Sequence, residues 1–168
     1  MTFKHPDTPQ ALELYQALSA GFLQKEFGHL ITKTQNVVRI PNNPEASEEV
    51  QRSLTELVKR MATVYLFSIF DEYCTKEMEK RMDPDELIRL KAFRHIRNSA
   101  AHGKLFERAP NCKRRQQFED VMNSGSPIHG VVFDNTRLEL TKSSVEMDCY
   151  NFMSNLAQQL IARLENNP

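Results

Sequence analysis

The run MATVYLFSIFDEY, residues 61–73, does most to limit the folds open to this chain. It is apolar or aromatic on most sides, and long charged stretches flank it. A buried strand is the competing interpretation of such a run, but the flanks favour a helix from about Glu48 to Arg81, with Ser47 as its cap. A helix that is apolar around most of its circumference must be enclosed by other elements. The expected architecture is therefore a helical bundle with this helix deeply buried in it.

Three further helices fit the pattern. The first spans residues 8 to 28, with Thr8 as cap, Pro9 at the first helical position, and Leu12, Tyr15, Leu18 and Phe22 at helical spacing. It can continue to about Arg39, before the loop IPNNPEAS breaks it. Asp83 followed by Pro84 opens another helix, which runs to about His102, where Gly103 can end it. Residues 104 to 129 read as irregular, with one short helix near Lys113 to Met122, and NSGSP reads as a turn-rich loop. GVVFDNTRLELT then reads as two short strands around Asp134-Asn135-Thr136. Ser144 begins a last helix to about Leu164, whose apolar face is Val145, Tyr150, Phe152, Met153, Leu156, Leu160 and Leu164. The fold expected is all-α: one domain over residues 1–168, with four or five helices and a small β-hairpin before the last helix.

Composition narrows the class of function. No stretch of 18 apolar residues exists to cross a bilayer, and MTFKHPDTPQ lacks the apolar core of a signal peptide. A cytoplasmic location without membrane association is expected. Cys74, Cys112 and Cys149 are odd in number and far apart, which suits reduced thiols rather than disulfides or a zinc site. No metal site and no cofactor is expected. The net charge of zero hides an asymmetry: residues 89–115 hold nine Lys/Arg and one acid, Glu107, hence +8. Such a segment suits an anionic partner at one surface, or equally a solvated face paired to acidic neighbours.

Within that segment lies RLKAFRHIRNSAAHGK, residues 89–104. On a helix, Arg94, Arg97, Asn98, Ala101 and His102 share one arc of about 140°. Phe93, Ile96 and Ala100 fall on the opposite side, so the helix is expected to pack these inward and present Arg, Arg, Asn and His. A guanidinium binds phosphate through two parallel hydrogen bonds and keeps its charge. An imidazole exchanges a proton near neutrality. RNA carries its own nucleophile in the 2′-hydroxyl, so this pair suits phosphodiester cleavage without a metal. His102 would serve as acid or base, Arg97 would stabilise charge at phosphorus, and Asn98 would hold the imidazole or donate to the phosphate. The alternative for the same residues is a helix-end histidine that complements the helix dipole, beside a solvated arginine stripe.

The string Arg97-Asn98-Ser99-Ala100-Ala101-His102, with Phe93 a few positions earlier, resembles the signature of HEPN domains. In that family an Arg, a polar residue and a His stand near the end of one helix in a bundle of four or five. The resemblance implies metal-independent ribonuclease chemistry with Arg97 and His102 as the catalytic pair and Asn98 in support. It also implies a homodimer in which two motifs form one cleft, a toxin or defence role, and an antitoxin or regulatory partner. Lys91, Arg94, His95 and Lys104 would contact RNA phosphates. An acidic residue on an earlier helix often accompanies the motif arginine, and Asp71 or Glu72 is the candidate. Where some family toxins carry a tyrosine two residues after the histidine, this chain has Lys104, which argues against that mode of antitoxin control. Not every HEPN domain cuts RNA, and a non-catalytic domain that binds nucleotide, RNA or a protein is the alternative. His5, His29 and His129 are isolated and suit structural or exposed roles.

Overall fold

The computed structural model describes residues 3–20, 43–102, 132–134, 137–139 and 144–166. Five helices and two short strands fall within them: α1 (Thr8–Ser19), α2 (Pro44–Tyr73), α3 (Lys76–Lys80), α4 (Pro84–His102), β1 (Val132–Asp134), β2 (Arg137–Glu139) and α5 (Val145–Asn166). The expected continuation of the first helix to Arg39, the short helix near Lys113, the stop at Gly103 and the centre of the hairpin lie outside the described residues.

The helix ends differ from the sequence expectation for identifiable reasons. Asp7, not Thr8, is the N-cap residue of α1. Thr8 is already helical, and its hydroxyl instead donates to Glu165 at 2.8 Å, tying α1 to the end of α5. The buried stripe of α1 is Thr8, Ala11, Leu14 and Leu18, while Leu12 and Tyr15 are only half-buried. The inward face is thus set by Leu14 and Leu18 with the small Ala11 one turn earlier. At α2 the cap is Asn43, whose side-chain oxygen accepts from the Ala46 N–H at 3.1 Å, with Pro44 in the first turn. Ser47 lies inside that turn and donates to the Asn43 carbonyl at 3.0 Å.

The long second helix also ends earlier than expected. Cys74 turns extended, with ψ 112°, and α2 stops at Tyr73. Thr75 then caps the short α3 by accepting from the Met78 N–H at 3.2 Å. The charged continuation of the helical pattern concealed this break, because hydroxyl capping competes with helix continuation at such a position. The start of α4 follows its sequence signal. Glu86, three residues after Asp83, accepts from the Asp83 N–H at 2.7 Å, which is the reciprocal half of a capping box.

The core lies between α1, α2, α4 and α5. Leu14, Leu18, Leu66, Phe67, Phe70, Leu90, Phe93 and Ile96 are fully or almost fully buried there, with Met153 and Leu160 from α5. Fully burying one such side chain contributes about 1.5–3 kcal/mol, so this cluster supplies the principal stabilisation. Phe93 of α4 stacks on Phe152 of α5 at 5.5 Å, and Phe67 meets Phe70 at 6.4 Å. One clamp joins the far end of α5 to the start of α4. Arg163 donates to the Arg81 carbonyl at 2.9 Å, to Asp83 at 2.9 Å and to Glu86 at 2.6 and 3.0 Å. β1 and β2 pair antiparallel, with Phe133 opposite Leu138, and β2 lies beside α4. No described helix is long and apolar enough to cross a membrane.

Candidate active site on helix α4

Phe93 and Ile96 are fully buried, as the helical spacing required, and Ala100 is half-buried. That packing fixes the rotation of α4 and turns Arg94 and Arg97 toward the seam with α2 and α3. They pair with acids there, the arrangement expected of a basic face set against acidic neighbours. Arg97 donates to Asp71 of α2 at 3.0 Å, with its side chain 30% exposed. Its guanidinium carbon stands 5.5 Å from the centre of the Phe67 ring. Its Nε is closed off from solvent and has no hydrogen-bond partner among the described residues. The electron-rich ring face compensates part of that loss by attracting the cation. Phe67 and Asp71 are four residues apart on α2, so one helix face supplies both the ring and the carboxylate.

Arg94 is held more tightly. Its guanidinium donates to Glu79 of α3 at 2.6 Å and stands 3.7 Å from Asp71. Asp71 thus lies between two arginines, and Glu79 secures the outer one. Of the two acids anticipated, both exposed, Asp71 is the one that meets the motif arginine. Asn98 and Lys91 are exposed, and His95 is half-buried. His102 is the last residue of α4; its side chain and all of Lys104 lie outside the described residues. The four described cations of the basic segment are therefore not one open patch. Arg94 and Arg97 face carboxylates, Arg89 lies over the Phe93 and Phe152 rings, and Lys91 is exposed.

Glu79 and Phe67 were missed from the sequence. Glu79 reaches Arg94 only because α3 is a separate helix, and that depends on the break at Cys74. Phe67 had a usable signal: it precedes Asp71 by four positions on a helix. The thiol next to this network is unsuited to nucleophilic chemistry. Burial, and secondarily the Glu79 charge, push Cys74 up to about 12. Burial likewise raises Cys149 beyond the ordinary thiol range. Both fit the expectation of unreactive cysteines; Cys112 lies outside the described residues.

Geometrically, the seam combines a cation held from behind with an open edge. Asp71 takes Arg97 from one side and Phe67 covers one face, so a ligand from solvent would meet the terminal N–H groups and not the enclosed Nε. A phosphate there would meet a guanidinium whose torsions are already restricted. No family model, curated protein or solved structure matches this chain.

Proposed function

We propose that the chain is a metal-independent endoribonuclease of HEPN type, acting as a cytoplasmic homodimer in a toxin or defence role. The observation that carries the proposal is the motif arginine on α4 lying 3.0 Å from an acid of an earlier helix, with the motif histidine ending α4. The 2′-hydroxyl oxygen would form the new bond to phosphorus while the bond from phosphorus to the 5′ oxygen breaks. His102 would take the 2′-hydroxyl proton, and the imidazolium of a second copy would return one to the departing 5′ oxygen. The products would be a 2′,3′-cyclic phosphate and a 5′-hydroxyl. Arg97 would stabilise the extra charge on the phosphoryl oxygens, with Asn98 in support and Lys91 and Lys104 drawing in the strand.

The test is incubation of purified protein with RNA in excess EDTA. Cleavage to cyclic-phosphate ends is expected from the wild type and not from His102→Ala. Cleavage that requires added metal, or that persists in His102→Ala, refutes the mechanism.

One observation favours a second assignment, a non-catalytic domain that binds nucleotide, RNA or a regulatory protein. Arg94 and Arg97 both already face carboxylates, so a phosphate must compete with Asp71 and Glu79. On that alternative, expression of the wild type is harmless to growth and indistinguishable from Arg97→Ala.

A further inference from the structure

Between the first half of α4 and the outer side of α5 runs a cleft of about 450 Å³. That is within the ~300–1,000 Å³ of typical small-ligand sites. Its apolar surface is formed by Phe152, Leu156 and Ile88, the last 44% exposed. The guanidinium carbon of Arg89 lies 5.6 Å from the Phe152 ring centre and 6.0 Å from that of Phe93. Arg89 Nε is closed off from solvent and without a hydrogen-bond partner among the described residues. On the α5 wall, Asn151, Asn155 and Gln159 recur every four residues and line the cleft as exposed carboxamides; of the three, Gln159 Oε1 already accepts from Arg163 at 3.2 Å.

These groups select a ligand by class. A carboxamide offers a donor and an acceptor side by side, the pattern that an unpaired base presents on its edge. An aromatic ring and a guanidinium plane both stack on nucleobases. Asp85 also lines the cleft, and its charge disfavours a phosphate inside it. The Glu86 carboxylate is neutralised by Arg163. A base fits this chemistry, with the sugar-phosphate backbone kept outside. Arg89 stands eight residues before Arg97, roughly 12 Å along the same helix.

We propose that this cleft binds one unpaired nucleoside of the RNA strand and so sets the base preference of cleavage. That role rests on the ribonuclease proposal above, whereas binding of the nucleoside itself does not. The test titrates adenosine, guanosine, cytidine and uridine into the full chain, wild type and Asn151→Ala/Asn155→Ala, by calorimetry. Both substituted residues are exposed, and circular dichroism checks that the variant folds. One nucleoside is expected to bind saturably and to bind the variant at least about tenfold more weakly, the loss of two hydrogen-bonding amides. Cleavage by the wild type should favour that base, and cleavage by the variant should lose the preference. Absence of saturable nucleoside binding to folded wild type, or equal binding to both proteins, overturns the site even if RNA is cut. Nucleoside binding that the variant weakens, in a chain that cuts no RNA, sustains the cleft and refutes the ribonuclease.

Discussion

Replacing Asp71 with asparagine separates a positioning role from a structural one. The change removes a charge from the seam but keeps the shape of the side chain. Asp71 is 41% exposed and Arg97 30% exposed, so solvent screens their attraction. Pairs of this exposure contribute about 0.2–1 kcal/mol to folding, and the loss should be no larger. Catalysis is far more sensitive, because a displacement of about 1 Å at a reacting centre can cost 100-fold. Arg97 then keeps only a neutral amide oxygen, a weaker acceptor than a carboxylate, and the Phe67 ring to orient it, and the charge that offset its neighbour Arg94 at Asp71 is gone. Under the proposed ribonuclease function, the expected result is a fall in RNA cleavage of about 100-fold with a stability loss below about 1 kcal/mol. A fluorogenic RNA assay read beside a urea titration measures both quantities. Cleavage at the wild-type rate, or a loss of activity that tracks unfolding, would refute the idea that Asp71 holds Arg97 in place.

Two further outcomes test the packing. Arg163→Met removes the donor to Glu86, Asp83 and the Arg81 carbonyl, and should cost about 2 kcal/mol, a value tempered by the exposure of Asp83; a thermal melt unchanged from wild type would show that the clamp contributes nothing. Glu146 is buried on α5, and burial holds its carboxyl above the usual carboxylate range while the Lys59 charge opposes this. The folded chain therefore keeps that proton to higher pH than the unfolded chain, and stability falls as pH rises from the unfolded value through the folded one. Glu146→Gln should flatten this part of the stability profile, read as urea midpoints between about pH 4 and about pH 8; a profile with the wild-type slope would count against it.

Much of the helical layout could be read along the chain because it depends on local rules. Pro84 after Asp83 starts α4, and the apolar spacing of Phe93 and Ile96 fixes which side of α4 turns inward. The α2 cap at Asn43 is equally local, but Ser47 offers the same chemistry four residues later, so spacing alone does not choose between them. The break at Cys74 was hidden because the helical pattern resumes one residue after Thr75. The face of α1 is ambiguous in the sequence because Leu12 and Tyr15 share the helical spacing of Ala11, Leu14 and Leu18, and only burial separates the two sets.

At the candidate site the division is similar. Sequence alone determined that Arg97, Asn98 and His102 share one helix near its end, since that follows from spacing on a regular backbone. The resemblance also offered Asp71 or Glu72 as the acid on an earlier helix, without choosing between them. Only the tertiary structure decided that Asp71 rather than Glu72 meets Arg97, and that Glu79 takes Arg94. The choice depends on the rotation of α2 against α4, which is set by how Phe67, Phe70, Phe93 and Ile96 interlock in the core. The cleft beside Arg89 likewise exists only between two helices far apart in the chain. Local chemistry writes helices and their faces, whereas the contacts that give those faces a use come from packing across long sequence separations.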